Sequence, residues 1–447
     1  MLVNYYKFMV VAFAFVTLSV FSLPNIASTE ISSNVSKSIF FDEAPDNSIV
    51  KRDENHEKSQ RILREYQNSK QTKYNSDNLR ILTKEDFIDL NDLTDESLIQ
   101  ARKEIQAGNV VVVDSVVGDG TRLRRPPAPP PPGGKGAVVL GEGITFLEAK
   151  IIRLAVESDA VGAMIPEVLW CSKENLEATT QAVRNLDRKI LSLPSLDPEL
   201  KTAVRKYLRS KSINLMIKSE LTPVVREDGT LFMGKMRNLG AGEMVPTLFD
   251  SQMAQKLGFN ENTKVIFSNI DFDVDYLKAI AGAIQAKNPD LLQIHVPLQA
   301  VGGSAYWVNE NGKWKITPLE WMEVPQDVLD QVVSHNTNTM VLQGRALNPD
   351  FYKELPIPFE KKIYNNETLY LPKVSLADIG KHPEITTAVA MGNTEDWFFT
   401  GSKNLDALIA QGESEIKKRI HAWKKKINVK NKAEISNNCQ ALIKLFF

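Results

Sequence analysis

The sequence predicts an α/β protein built on a mostly parallel β-sheet. Short apolar runs rich in β-branched residues alternate with amphipathic segments long enough to be helices. The first such run, residues 110–113, is valine at every position, which is typical of a strand buried on both faces. Strands that alternate with helices in this way form a parallel sheet covered by helices on both sides.

The elements can be placed in order along the chain. Helices are predicted at residues 57–67 and 93–107, and Thr94 is a suitable N-cap for the second. Around residues 305–316 the pattern changes to that of a β-hairpin, with Asn-Glu-Asn-Gly at its turn. Further strands are predicted at 167–170, 213–217, 265–268 and 292–296, and helices at 147–157, 174–185, 247–257 and 275–286.

Composition excludes several classes of protein. The formal net charge of the 447 residues is −1, so we expect no nucleic-acid partner. Two cysteines, Cys171 and Cys439, are too few for a disulfide framework or a cysteine zinc site, although they could form one bridge. The five histidines lack metal-ligand spacing, and no Gly-x-Ser-x-Gly motif of a serine hydrolase is present.

The N-terminus has the pattern of an export signal. Lys7 precedes an apolar run over residues 8–21, and small residues follow around Ala27 and Ser28. We therefore predict a signal segment at residues 1–28 and a secreted or periplasmic protein. The alternative is an uncleaved anchor, which would be the chain's one route to a membrane. A polar, flexible arm is predicted at 29–80, and a basic helical segment at 409–447.

A glycine-containing loop follows the valine strand. Backbone N–H groups of such a loop, together with a cation, can bind a nucleotide phosphate. A proline-rich run at residues 126–134 then lengthens the loop; an SH3-like partner for that run is a further hypothesis. The candidate residues of the loop are Gly118, Gly120, Thr121 and Arg122.

Two later segments also carry binding chemistry. The strand at 265–268 is followed by Asn269 and Asp271, and a carboxylate at the end of a parallel strand is well placed to hold a divalent cation over phosphates. The alternative is that Asp271 caps the next helix, a position that Asp275 could also fill. Gly240 and Gly242 would let the backbone approach a flat ligand.

The ordered set of motifs resembles that of the UTP–sugar-1-phosphate uridylyltransferases, the UDP-sugar pyrophosphorylases. The resemblance covers residues 98–408 and is greatest to the enzymes that use glucose 1-phosphate. It implies a Rossmann-like, mostly parallel sheet of the nucleotide-diphospho-sugar transferase type, with a short mixed and helical C-terminal part and a catalytic domain at 81–408. The remaining motifs that support it are Gly302-Gly303, Glu320 before Val324-Pro325, Asn336-Thr337-Asn338, and Phe399 with Lys403.

The resemblance also implies a role for each matching residue. The cations Arg122, Lys135 and Lys403 would be catalytic, and Asp271 would hold Mg²⁺, the expected cofactor. Nucleotide-binding residues would be Gly118, Gly120, Thr121, Gly240 and Gly242, and sugar-binding residues Glu243, Gly303, Glu320, Asn336 and Asn338.

The expected reaction joins UTP to a sugar 1-phosphate and releases pyrophosphate. Glucose 1-phosphate is the first expectation and an N-acetylhexosamine 1-phosphate the second. A non-catalytic nucleotide-sugar-binding relative is a third, because the chain departs from the family pattern and because an export signal conflicts with a requirement for cytosolic UTP. The departures are Val117 for a glycine, Ala241 for a histidine, Gly134 and Gly401 for prolines, and Trp170-Cys171-Ser172 for a small polar pair beside the sugar.

Overall fold

A computed structural model of the chain describes residues 59–67, 74–117, 134–141, 143–192, 198–218, 222–237, 240–272, 275–297, 303–310, 312–320, 323–364 and 367–392. These residues lie in one compact unit. The strands are β1 (Leu79–Ile81), β2 (Phe87–Asp89), β3 (Val110–Ser115), β4 (Val139–Gly141), β5 (Ile144–Thr145), β6 (Glu167–Cys171), β7 (Ile213–Ile217), β8 (Thr222–Arg226), β9 (Leu231–Arg237), β10 (Lys264–Asn269), β11 (Leu291–Pro297), β12 (Ser304–Glu310), β13 (Lys313–Leu319), β14 (Ser334–Gln343), β15 (Phe359–Tyr364), β16 (Glu367–Pro372) and β17 (Thr387–Met391).

Helices connect most of these strands. Short 3₁₀ turns lie at Lys84–Asp86, Gly134–Ala137, Ala241–Glu243, Gly344–Leu347 and Leu376–Lys381. The α-helices are α1 (59–67), α2 (Asp95–Gln106), α3 (Phe146–Val161), α4 (Lys173–Ser192), α5 (Pro198–Arg209), α6 (Met244–Asp250), α7 (Met253–Lys256), α8 (Tyr276–Gln285), α9 (Gln326–Leu329) and α10 (Pro349–Glu354).

The architecture is organised around an eight-stranded sheet of order β2-β17-β11-β14-β10-β3-β6-β7. Every neighbouring pair is parallel except those that involve β14, which runs antiparallel to β10 and β11. Helices α2, α3, α4, α5 and α8 cover one face, and α1, α6, α7 and α10 cover the other. The predicted α/β fold with a mostly parallel sheet is confirmed.

Residue patterns explain the central strands and their helices. On β3, Val110 and Val112 enter the core on one face while Val111 and Val113 enter the core on the other, so an all-apolar strand is required. Helix α3 begins at a capping box, in which the Thr145 side chain accepts from the backbone of Glu148, and it ends at a left-handed glycine. Local capping therefore fixes the limits of the helix that lies beneath the candidate site.

One predicted helix is wrong in part. Residues 247–257 form no single helix: α6 and α7 are separated at Gln252, which has φ +57°. The predicted hairpin is confirmed, since β12 and β13 pair from Ser304↔Leu319 to Glu310↔Lys313 and Gly312 takes φ +80° in the turn. A second, four-stranded sheet of order β15-β16-β8-β9 was not predicted.

Part of the segment predicted as a flexible arm at 29–80 is folded, and it includes α1, which is the helix predicted at 57–67. In α1, Ile62 and Tyr66 are buried, and the Tyr66 ring packs edge-on against Phe359. Strand β1 pairs with β12 across the predicted boundary at residue 80. Ile62 and Tyr66 are four positions apart, so both lie on one face of the helix that was predicted at 57–67.

Several predictions lie outside the described residues. These are the signal segment at 1–28, nearly all of the proline-rich insertion at 126–134, and the basic segment at 409–447. Among the helices that the structure describes, none combines the length and the apolar character needed to cross a bilayer.

Candidate functional site

The site lies where β3 and β10 end. These strands pair in parallel from Val110↔Lys264 to Ser115↔Asn269, so the residues that follow them leave the sheet side by side. Asp271 lies in the turn after β10, and Lys135 lies in the 3₁₀ turn at Gly134–Ala137. The Lys135 Nζ is 2.6 Å from Asp271 Oδ2. The predicted phosphate-binding lysine and the predicted metal ligand therefore meet.

The other oxygen of this carboxylate is available to a cation. Asp271 Oδ1 is buried and accepts no hydrogen bond from the residues that the structure describes. Asp275 caps α8 through the Lys278 amide, so Asp271 is not needed for that purpose. Within the described ranges no three His, Cys, Asp or Glu side chains are grouped to bind a metal. Mg²⁺ is commonly held by one or two carboxylates and substrate phosphates, and this donor set fits that arrangement.

Two glycines place Lys135 against the sheet. A Cβ on Gly136 would lie 2.9 Å from Val116 Cγ1, so only glycine lets the turn pack this closely on the end of β3. Gly134 has φ +63°, which a proline ring cannot adopt. The glycine that stands in place of the family's proline is therefore required by the backbone of this chain.

A buried group of polar side chains lies below these strand ends. Lys150 on α3 donates to Asp114 Oδ1 on β3, at 2.7 Å, and to the Ser268 hydroxyl on β10. Ser268 in turn donates to the same Asp114 oxygen at 2.5 Å. Burial, reinforced by the Asp114 charge, raises the pKa of Glu167 well above its usual value. We call Asp114, Lys150, Glu167 and Ser268 the buried polar cluster. Its hydrogen bonds connect β3 to β10 close to the ends of the two strands, where the site begins.

The predicted nucleotide-binding glycines pack against the chain after β16. Gly240 has φ +116°, and a Cβ there would lie 2.4 Å from the Val374 carbonyl oxygen. A Cβ on Gly242 would lie 2.4 Å from Val374 Cγ1, and the Gly242 amide donates to the Val374 carbonyl at 3.0 Å. Both positions therefore exclude any larger residue.

Sequence reasoning missed Lys218, which directly follows β7. Its side chain is 2% exposed, and its Nζ lies 3.1 Å from Glu243 Oε2 and 2.9 Å from the Gly240 carbonyl oxygen. The ammonium also lies 4.8 Å from the centre of the Trp170 ring. The next residue, Cys171, packs in the core on the opposite face of the sheet and is a buried free thiol whose pKa burial raises to about 12. The sequence feature that could have indicated Lys218 is its position directly after the strand predicted at 213–217.

Three of the predicted sugar-binding residues, Gly303, Glu320 and Asn336, lie together, whereas Glu243 lies in the 240–243 turn. Gly303 lies beside Glu320, since a Cβ there would be 3.5 Å from Glu320 Oε2. The Gly303 carbonyl accepts from the Asn336 amide at 3.1 Å. Lys373, next to Val374, reaches Glu320 Oε1 at 3.3 Å. Contacts through 373–374 thus connect the sugar side to Gly240 and Gly242.

A β-bulge presents Asn338. The register between β11 and β14 changes from Ile294↔Thr339 to His295↔Asn336, which leaves Thr337 and Asn338 without opposite residues. Asn338 has φ +56° and is exposed, while Thr337 and Thr339 are buried. Because β14 is antiparallel to its neighbours, its first residues lie at their carboxyl ends. This topology brings Asn336 and Asn338 to the site.

Buried hydrogen bonds support the bulge. His295 Nδ1 lies 3.0 Å from Ser334 Oγ, and its Nε2 lies 3.2 Å from Gln293 Oε1. Burial, with a smaller contribution from the charge of His335, lowers the pKa of His295 to about 3, so its ring is neutral near pH 7. The neutral ring can accept at one nitrogen and donate at the other, as these two contacts require.

The remaining predicted residues lie outside the described residues. They are Gly118, Gly120, Thr121, Arg122 and Lys403. The phosphate loop and the second phosphate lysine therefore stay predictions. The structure describes where the other candidates lie: Lys135, Asp271, Gly240, Gly242, Glu243, Gly303, Glu320, Asn336 and Asn338.

Comparisons with known proteins agree on the fold. No model of a protein family matches the chain, and no curated protein matches it. A UDP-glucose pyrophosphorylase from Leishmania major in complex with UDP-glucose is 16% identical with a TM-score of 0.56, covering 80% of this chain and 77% of that one. A UDP-glucose phosphorylase from Trypanosoma brucei is 16% identical with a TM-score of 0.57, covering 78% and 74%.

A third neighbour is named for a different UDP-sugar. A putative UDP-N-acetylglucosamine pyrophosphorylase from Entamoeba histolytica is 17% identical with a TM-score of 0.51, covering 72% of this chain and 82% of that one. The chain therefore has the fold of UDP-sugar pyrophosphorylases, as the sequence motifs predicted.

Proposed function

We propose that the chain is a nucleotidyltransferase that makes a UDP-sugar and pyrophosphate from UTP and a sugar 1-phosphate. The observation that carries this proposal is the pairing of Lys135 with Asp271 at the ends of β3 and β10. Ligands of open α/β sheets bind at the carboxyl ends of the strands. The Lys135 ammonium lies at that edge with the Asp271 carboxylate, whose Oδ1 accepts no hydrogen bond from the described residues. The shared fold supports the same conclusion.

The proposed reaction needs positioning and charge neutralisation more than covalent help from the protein. An oxygen of the sugar phosphate attacks the α-phosphorus of UTP, and the bond to the β-phosphate oxygen breaks as pyrophosphate leaves. Lys135 and Arg122 would neutralise the leaving pyrophosphate, and Lys403 the α-phosphate. Asp271 would hold Mg²⁺, which when bound supplies positive charge to the phosphates.

The remaining candidates would hold the two substrates in place. Gly240 and Gly242 would allow a close approach to the nucleoside, and the sugar would contact Glu243, Gly303, Glu320, Asn336 and Asn338. We propose glucose 1-phosphate as the sugar substrate because two of the neighbours are named for UDP-glucose. An N-acetylhexosamine 1-phosphate is the alternative that the third neighbour favours.

Pyrophosphate release tests the proposal. Purified full chain is incubated with UTP, Mg²⁺ and glucose 1-phosphate, and then with N-acetylglucosamine 1-phosphate. Asp271→Asn keeps the shape of the side chain and removes its charge, so the rate should fall on the order of 10²–10³-fold. Asp275→Asn is the matched control, since Asp275 caps α8, and should leave the rate nearly unchanged.

A non-catalytic nucleotide-sugar-binding protein is the second candidate. Lys135 and Asp271 neutralise each other in the structure, and several family motifs are altered. UTP binding without pyrophosphate release from any sugar phosphate would favour this candidate, whereas Asp271-dependent release would exclude it.

A further inference from the structure

Lys218 occupies an unusual position for a lysine. It directly follows the edge strand β7 of the central sheet, yet its side chain is only 2% exposed. Lysine ammonium groups almost always reach water, and a buried one requires partners that compensate for its lost hydration. Something in this fold therefore holds the group in place.

The partners of Lys218 come from two other segments of the chain. Its Nζ donates to the Gly240 carbonyl at 2.9 Å and lies 3.1 Å from Glu243 Oε2. On its other side is the face of Trp170 on β6, 4.8 Å from the ammonium, an arrangement in which a ring attracts a cation. The ammonium thus joins the edge of the sheet to the first and last residues of the 240–243 turn.

The same turn is held from the opposite side by Val374. The Gly242 amide donates to the Val374 carbonyl, and neither Gly240 nor Gly242 has space for a side chain. The turn is therefore fixed between Lys218 and Val374, and both the Gly240 peptide and the Glu243 carboxylate take their orientation from these contacts.

We propose that Lys218 is a positioning residue for nucleotide-sugar binding, acting through Glu243 and the 240–243 turn. This inference rests on the proposed function and deepens it. Lys218 is buried and already paired with a carboxylate, so a ligand phosphate would have to displace Glu243 to reach it. Its charge instead serves to orient groups that the ligand contacts.

Binding of UDP-glucose, measured by titration calorimetry, tests the inference in a double-mutant cycle. The four proteins are the unmodified full chain, Lys218→Met, Glu243→Gln and the double variant. A hydrogen bond to a charged group is worth enough for Lys218→Met to weaken binding about 10- to 100-fold. If Lys218 acts through Glu243, the double variant should be little weaker than Lys218→Met. Losses that multiply would overturn the inference, as would unchanged binding in Lys218→Met.

A second measurement needs no ligand. Hydrogen exchange of the peptide that contains Gly242 reports whether the turn is held, because its amide is bonded to Val374. Exchange should be at least several-fold faster in Lys218→Met, and an unchanged rate would overturn the inference. If the unmodified chain binds neither UDP-glucose nor UTP, the proposed function fails as well; normal binding with multiplying losses rejects the inference alone.

A matched control separates this role from general stability. Lys264 pairs with Glu104 at 3.3 Å and its side chain is 9% exposed, but it lies at the amino end of β10, away from the site. Lys264→Met should leave UDP-glucose binding and the exchange of the 240–243 turn unchanged. Should Lys218→Met fold poorly, Lys218→Gln keeps a donor for the Gly240 carbonyl and should show an intermediate loss of binding.

Discussion

Replacement of Lys150 by methionine should destabilise the folded chain strongly. Lys150 and Asp114 are 3% and 0% exposed, and their charged groups are 2.7 Å apart. Methionine fills a similar volume without a charge, so the change removes interactions rather than packing. Asp114 would then remain buried without its countercharge, with Ser268 donating to it and Glu167 hydrogen-bonded beside it.

The size of the effect follows from the contacts that are lost. Lys150 donates to Asp114 and to Ser268, and two hydrogen bonds that involve a charged group are worth roughly 3–6 kcal/mol together. Removal of one partner from a buried ion pair typically costs about 3–5 kcal/mol. Both lines of reasoning give a loss of about 4 kcal/mol in the free energy of unfolding.

Urea denaturation, followed by circular dichroism, measures this loss. Lys150→Met combined with Asp114→Asn removes both charges of the pair. This double variant should recover most of the lost stability, because replacing a buried ion pair with uncharged residues often changes the free energy of unfolding little. The control is Lys353→Met, whose ion pair with Asp350 is 72% exposed on both sides and whose loss should not move the midpoint. A loss below about 1 kcal/mol for Lys150→Met, or a double variant no more stable than the single one, would refute the reasoning.

Three further predictions concern other sites. Gly240→Ala should lower the melting temperature and weaken UTP binding, because its Cβ would meet the Val374 carbonyl oxygen at a φ of +116°; unchanged values would contradict this close contact. Burial lowers the pKa of His295 to about 3 in the folded chain, whereas a histidine in the unfolded chain has a pKa of about 6.5. The unfolded chain therefore takes up the proton first, and the free energy of unfolding falls by up to about 1.4 kcal/mol per pH unit as the pH drops below about 6.5. In His295→Gln the urea midpoint should change less between pH 7 and pH 5 than it does in the unmodified chain. The same change in both proteins would argue against a role for His295 in the pH dependence. Cys171 should resist iodoacetamide at pH 8 until urea unfolds the chain, as judged by peptide mass spectrometry, because burial raises its pKa to about 12; rapid labelling of the folded chain would show otherwise.

Local patterns in the sequence were sufficient for most of the central sheet. The valine run of β3 and the apolar runs of β6 and β10 were recognised because a strand buried on both faces has no polar alternation to hide it. Strands β7 and β11 were recognised although Asn214, Gln293 and His295 interrupt their apolar residues. Helix α2 was recognised from its N-cap at Thr94, and α3 and α8 were recognised as amphipathic segments between predicted strands. These features depend on residues that are close together in the chain.

Long-range features escaped the sequence analysis. Strand β14 begins with polar residues, and nothing near it in sequence says that it enters the middle of the sheet antiparallel to both neighbours. Lys150 in an amphipathic helix and Lys218 after a strand look like surface lysines until their partners Asp114 and Glu243 are placed. Their burial depends on residues distant in the chain, which periodicity does not reveal.

The site was predictable to the extent that its chemistry is carried by ordered motifs. Asp271 and Lys135 were identified separately, and their contact is new information from the fold. For Asn336 and Asn338, the motif gave the residues, and the bulge between β11 and β14 gives the reason that Asn338 is exposed while Asn336 is buried. Gly134 was recorded as a departure from the family, and its positive φ gives that departure a physical cause.

The antiparallel strand β14 also sets a condition on how the chain can be synthesised. Strands β10 and β11 emerge from the ribosome well before residue 334, and each has one edge that only β14 covers. Until β14 arrives, three strand edges are unpaired, one on β10 and both on β11, because the other neighbour of β11 is β17, which follows later in the chain. Such edges are sites of wrong pairing between molecules. A product that terminates before residue 343 should therefore aggregate rather than persist as a smaller soluble domain. Correct pairing of β10 and β11 must await the insertion of the strand that carries Asn336 and Asn338.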